Sequence, residues 1–429
     1  RGGWGGELHR MARPRAAPWC RSMKRLVIAG GGFAGFWAAA AAERLRQDTP
    51  SLASLQILLV SRDDRLVMRP RLYEQEPSGM SVPLVPRLDT IAVEFRQAEV
   101  TSIDIAKSVL HTAGESLPYD RLVLAAGSQL ARPAGVAGSH GFDIDTLAGA
   151  AKFDRHLQQL ATGPESEGRW TVVIAGGGFT GIELATSLPS RLRALAGSAA
   201  IRVMLVDPAD RVGASLGDGP KSAIRDALAA AGVEVRTGAT IADVDSNGVV
   251  LSTGERIACQ TLVWTTGMRA SPLAAQVAAQ TSTPVDAMGR IAVSPELRVS
   301  GAEHIFAAGD VAHAMAAEGY AILQSCQHAQ VTGRFAGHNA AADLAGLPLQ
   351  AYRQPLYTTC LDLGDAGAVL TTGWERTVQA TGGQAKEIKR RINTQLIYPP
   401  AEREAILAAA APSVMDEEVF RRRILASAS

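Results

Sequence analysis

The chain has 429 residues, a length for about three domains and a large apolar core. With 47% hydrophobic residues and a formal net charge of +1, it has an ordinary globular balance and lacks the strong basicity of a nucleic-acid-binding protein. Cys20, Cys259, Cys326 and Cys360 are widely spaced, which excludes a C-x-x-C or zinc-type pair and fits a reducing cytoplasm, and no apolar run is long enough to span a membrane.

Residues 1–22 carry five arginines against one acid, Glu7, with glycines and prolines but no apolar periodicity. A signal peptide needs an apolar stretch after its charges, and none is present. The segment reads as a disordered extension, or as sequence upstream of a start at Met23.

The first folded unit opens on LVIAGGGFAG, Leu26 to Gly35, an apolar strand that breaks into glycines and resumes as an alanine-rich helix. Gly30, Gly32 and Gly35 have G-x-G-x-x-G spacing. The first glycine permits the tight turn, the second lets a dinucleotide pyrophosphate approach the backbone, and the third lets helix and strand pack closely. The helix N-terminus adds free N–H groups, so Phe33 and Ala34 are further candidate contacts. A second apolar run, Leu55 to Val60, ends at Ser61, Arg62 and Asp63, where a ribose contact is expected. LVLAAG, Leu122 to Gly127, closes the unit with another buried strand and a small turn at Gly127.

The pattern then recurs. VVIAGGGFTGIELA carries Gly176, Gly178 and Gly181, with Thr180 inside the turn; IRVMLV repeats the second strand; LVWTTG repeats the third and ends at Gly267. Gly30 to Ser61 and Gly176 to Asp207 both span 31 positions. Two Rossmann-like dinucleotide-binding units in an α/β chain follow. In the second copy Asp207 can accept both ribose hydroxyls and would repel a 2′-phosphate, which favours NAD(H); Arg211 keeps NADPH as the lesser reading. Glu183 also reads simply as an acid complementing the helix dipole.

EHIFAAGDVAHA, Glu303 to Ala314, reads as a short strand opening a helix, with Asp310 as an N-cap. Together, the two fingerprints, the LVLAAG and LVWTTG strand ends and this late FAAGD motif resemble the flavoproteins related to pyridine nucleotide-disulfide oxidoreductases. The resemblance covers about Lys24 to Gln330. It implies that the first fingerprint binds FAD, that Asp310 contacts the flavin's ribityl and phosphate region, and that the second fingerprint binds NAD(P)H. It also implies that the second unit is inserted in the first. The expected domains are an FAD domain at 23–140 and 290–330, an NAD(P)H domain at 141–289, and a small α+β domain at 331–429.

The chain has no cysteine between Cys20 and Cys259, which argues against a disulfide reductase. Cys326 and Cys360 leave sulfide:quinone chemistry as a lesser alternative to two inert core residues. GGGFTGIELA, including Glu183, and VWTTGMRASPL most resemble the type II NADH:quinone oxidoreductases. That resemblance implies that Glu183 positions the nicotinamide, and that the helix from Ser325 packs below the flavin and borders a quinone. Gln327 and Gln330 are then the candidate acceptor contacts, Gln330 with a catalytic role. Of the family's A-Q-x-A-x-Q pattern Ala329 and Gln330 are kept, while Thr332 and Arg334 replace the later Ala and Gln. Ala329, Gly333, Gly337 and Ala341 recur every four residues as a small-residue stripe suited to close packing.

Tyr357 to Trp374 reads as two strands joined at Gly364 to Gly367. The tail, broken by Pro412, reads as a solvated surface helix that could pair with a second copy, so a homodimer stays open. The expected protein is a cytoplasmic enzyme, with peripheral membrane association also open. It passes hydride from NADH to FAD and electrons to a quinone. A redox-protein or small-molecule acceptor, and a non-catalytic NADH sensor, are the alternatives.

Overall fold

LVIA forms β1 (Arg25–Ala29), the centre of a five-stranded parallel sheet in which every residue of the strand is buried. The structure, a computed structural model, describes residues 23–131 and 140–414. The expected N-terminal extension and the arginine cluster Arg421 to Arg423 lie outside them.

From β1 the chain turns at the glycines into α1 (Phe33–Asp48) and returns as β2 (Gln56–Ser61), β3 (Glu94–Gln97) and β4 (Arg121–Leu124). The inserted unit follows with β5 (Phe142–Asp143), α2 (Leu147–Thr162), β6 (Thr171–Ala175), α3 (Phe179–Ala196), β7 (Arg202–Asp207), β8 (Glu234–Thr237) and β9 (Thr261–Trp264). Then β10 (Ile305–Ala307) pairs with β4 and completes the first sheet, in the order β10-β4-β1-β2-β3. The second sheet has the order β5-β9-β6-β7-β8, also all parallel, so it repeats the first strand for strand. Only the outer edge strand differs in origin, coming from after the insert in one copy and from before the glycine turn in the other.

Each copy also carries a three-stranded antiparallel meander, at Val100–Pro118 and Ile241–Ala258. The two units are joined through their equivalent third-strand turns. Ser128–Leu130 pairs antiparallel with Met268–Ala270, and the exchange is reciprocal: Ser271 N–H donates to the Gly127 carbonyl and Ala131 N–H to that of Gly267, both at 2.9 Å.

The first unit's core reaches beyond its expected limits. Leu273, Ala274, Val277 and Ala278, before residue 290, are buried in one cluster with Val27, Leu58 and Leu122. Past residue 330, α4 (Cys326–Ala345) continues along α1 as a single 20-residue helix. Its small-residue stripe is what permits this approach: a Cβ on Gly333 would lie 2.3 Å from the Ala34 carbonyl oxygen, and one on Gly337 2.0 Å from that of Ala38.

The C-terminal domain contains the expected hairpin, β11 (Thr358–Asp362) and β12 (Ala368–Thr372), extended by β13 (Thr377–Thr381). α5 (Gly382–Arg391) packs on this sheet through Ala385 and Ile388. α6 (Arg403–Ala409), the described helix of the tail expected to be a solvated surface helix, exposes Glu404, Ala405 and Ala408 but buries its other face. Ile406 and Leu407 are buried, and Arg403 donates to the Thr90 carbonyl at 2.7 Å. No described helix is long and apolar enough to cross a membrane.

Candidate active site

The two glycine turns are built alike. Gly30 and Gly176 adopt φ of +118° and +117°, a conformation that favours glycine, and a Cβ on either would strike the backbone after the third strand. A Cβ on Gly35 or Gly181 would lie 1.8 Å from the carbonyl oxygen of that first glycine, so the third glycine is needed for packing. Gly32 and Gly178 have nothing within 4 Å of a Cβ, and neither helix N-terminus is capped by a side chain. Each turn therefore presents open backbone and uncapped N–H groups, as a pyrophosphate requires.

At the strand ends the copies diverge. Asp207 accepts hydrogen bonds from the N–H groups of Gly177 and Ala209, which hold its carboxylate at the turn. Ser61 occupies the equivalent place against Gly31. Arg62 and Asp63 are exposed, ion-paired to each other at 3.3 Å, and line the same cleft.

Asp310 lies in a short 3₁₀ turn, Gly309–Val311, rather than at the start of an α-helix, and it does not act as an N-cap. Its carboxylate accepts from the Ser128 hydroxyl, with the Arg69 guanidinium 3.7 Å away and Arg69 also bound to Asp145. Burial raises its pKa despite Arg69. Gly309 packs against Ala34, where a Cβ would meet the Ala34 Cβ at 2.9 Å, so the late motif abuts the first glycine turn.

Glu183 is buried beyond the first turn of α3, so it does not play the dipole role. Its carboxylate meets the Lys389 ammonium at 2.7 Å and accepts from the Asp362 N–H at 3.0 Å. Burial pushes its pKa up to about 7, against the pull of Lys389.

A single cleft of about 2160 Å³ connects these features. It is lined by Gly32, Phe33, Ala34, Ser61, Gly127 and Asp310 from the first unit and by Gly178, Thr180, Glu183, Asp207 and Gly267 from the second. It continues along α4 past Cys326, Gln327 and Gln330 to Tyr398 and Ala409. Gln327 accepts from the Thr358 N–H at 3.4 Å, so its carbonyl is engaged by β11. Burial raises the Cys326 thiol to about 11 and the Cys360 thiol to about 12, which keeps both in the unreactive neutral form. Among the described residues no cluster of His, Cys, Asp and Glu could hold a metal ion.

Residues 24–333 match the model of the pyridine nucleotide-disulphide oxidoreductase family. The chain belongs to that family. It is an oxidoreductase flavoprotein of the NADH dehydrogenase-like kind. An NADH dehydrogenase-like protein of Mycobacterium tuberculosis is 45% identical over 91% of this chain and 99% of its own length. The demethylphylloquinone reductase NdbB of Synechocystis sp. is 32% identical over 81% of this chain and 86% of its own. In fold, NDH2 of Plasmodium falciparum, solved in complex with NADH, matches 93% of this chain and 98% of its own with a TM-score of 0.73 at 12% identity.

Within this member of the family, the side chains that sequence reading missed come from outside the fingerprints. Lys389 sits in KEIKRR, a stretch that reads as a solvated basic helix. The available signal is helical phase, since Ala385, Ile388 and Lys389 share the buried face of α5. Arg69 and Asp145 carry no motif at all. His328, in the first turn of α4, is wholly buried and stacks on Tyr357 at 4.6 Å, which in turn stacks on Trp374.

Proposed function

We propose that this protein oxidises NADH at the second glycine turn, through FAD bound at the first, and delivers the electrons to a quinone that enters along α4. The observation that carries the reading is the continuity of the cleft: two uncapped glycine turns and the Gln327 to Arg334 stretch line one space. The flavin, when bound, supplies the carrier that takes hydride on one side and gives up electrons on the other.

The protein's own residues then position and tune. Gly32 with the N-terminus of α1, and Gly178 with that of α3, offer N–H groups to the two pyrophosphates. Asp207 accepts the adenosine ribose hydroxyls of NADH, and its negative charge disfavours the 2′-phosphate of NADPH. Asp310, held by Ser128 and flanked by Arg69, supports the middle of the flavin dinucleotide. Glu183 borders the same space, where a carboxyl poised near neutrality can hold or release a proton. Gln330 offers its amide to an acceptor carbonyl.

Anaerobic mixing with NADH should bleach the oxidised-flavin absorbance band, and adding a short-chain quinone should restore it with turnover. A flavin that NADH leaves oxidised would end the donor reading. Bleaching without reoxidation by any quinone would end the acceptor reading alone.

A further inference from the structure

Arg334 lies on α4 one turn beyond Gln330 and lines the cleft. It does so together with Trp37 and Ala409. The guanidinium donates from Nη1 to the Ala409 carbonyl at 2.9 Å and stands 5.9 Å from the centre of the Trp37 ring. Its Nε is buried with no hydrogen-bond partner, and so is the indole Nε1 of Trp37. No carboxylate among the described residues forms an ion pair with it, and burial is the one influence on its pKa, which it lowers. A half-buried cation without a counter-charge costs free energy that an anion bound in the cleft would recover, while the two enclosed N–H groups have no surface open to a ligand.

From this geometry we infer that the acceptor is an aromatic quinone bearing an acidic substituent, a carboxylate or an ionised hydroxyl, which Arg334 receives while the ring lies in the cleft beside Trp37. The inference rests on the reading of α4 as the acceptor side. Arg334 fits the charge because a guanidinium pairs with an oxyanion through directed N–H groups and stays protonated. Trp37 offers an apolar face. The reaction balances as NADH, one proton and the quinone giving NAD⁺ and the quinol. Two electrons and two protons reduce the ring carbonyls, and the acidic substituent is unchanged.

The test compares two naphthoquinones with the flavin-loaded full chain: menadione, which is neutral, and lawsone, whose hydroxyl is ionised at neutral pH. Because their redox potentials differ, the quantity read is the change in their KM ratio between wild type and variants. In Arg334→Met the KM for lawsone should rise about tenfold more than that for menadione, with Arg334→Lys in between. A redox-inert pair gives a second readout. Hydroxynaphthoate should perturb the flavin absorbance of wild type at a concentration about tenfold lower than naphthol does, and this preference should be lost in Arg334→Met. Equal shifts for both quinones, or equal binding of hydroxynaphthoate and naphthol to wild type, would overturn the inference while leaving quinone reduction intact. Failure of both quinones to reoxidise a flavin that NADH has reduced would remove the acceptor reading and the inference with it.

Discussion

The Lys389 ammonium and the Glu183 carboxylate meet at 2.7 Å with both side chains buried. The pair ties α5 of the C-terminal domain to α3 of the second glycine unit, at a point where both residues line the cleft. Around it, the Lys389 ammonium lies 5.5 Å from the Phe179 ring centre and 5.7 Å from that of Tyr73, and the Tyr73 hydroxyl donates to Asp362 at 3.0 Å. Each charge is therefore accommodated by the other in a low-dielectric setting.

Removing one member should cost more than removing both. Lys389→Met leaves a carboxylate buried without its partner, and should lower unfolding free energy by about 3–5 kcal/mol. Glu183→Leu with Lys389→Met should recover most of that loss. Thermal denaturation above pH 7 checks this, and a single variant as stable as wild type would show that the pair does not hold the domains together.

The same carboxyl sets a pH dependence. Burial raises Glu183 from an ordinary 4.5 to about 7, so the native state holds an extra proton between those values. Its contribution to stability is present below about 4.5 and declines as pH rises through about 7. NADH-driven turnover should show an ionisation near pH 7 that Glu183→Gln abolishes, and a pH–rate profile on both proteins decides it. An inflection that survives in the variant belongs to another group.

Asp207 should govern the choice of nucleotide. Asp207→Ala removes the ribose acceptor and the charge facing a 2′-phosphate. The ratio of kcat/KM for NADH to that for NADPH should fall by about tenfold or more. Because Asp207 also binds the Gly177 and Ala209 N–H groups, both nucleotides will lose some affinity, so the ratio carries the result.

The parts of this fold that were legible in the sequence are those encoded locally. A glycine turn between an apolar strand and a helix declares itself in ten residues, and its recurrence at matched spacing exposed the second sheet. The meanders left a weaker mark, because strands such as Val100–Asp104 and Ile241–Asp245 mix buried and exposed positions irregularly. The Arg69, Asp310 and Asp145 cluster and the Glu183–Lys389 pair were hidden for another reason. Their members are far apart in the chain and meet only when the sheets and the C-terminal domain close on one another. Glu183 was singled out with two readings, a helix-dipole acid and a residue placing the nicotinamide, and its burial against Lys389 removes the first.

The stripe on α4 allows a sharper test of how that helix holds the cleft. A Cβ at Gly337 would lie 2.0 Å from the Ala38 carbonyl oxygen and 2.5 Å from the Ala38 Cα, backbone atoms that cannot rotate away as a side chain could. Gly337→Ala must therefore lift α4 from α1, and should cost about 3 kcal/mol or more. Gly333→Ala should do the same through Ala34, 2.3 Å from its carbonyl oxygen. Because Ala34 also packs on Gly309, this second variant should in addition weaken flavin retention, seen as easier loss of flavin on dialysis. Gly383→Ala is the control. Its Cβ would meet nothing within 4 Å, so the helix propensity of alanine should leave stability unchanged or raise it by about 0.5–1 kcal/mol. If all three alanines behaved alike, the close approach of α1 and α4 would not be what fixes the floor of the cleft.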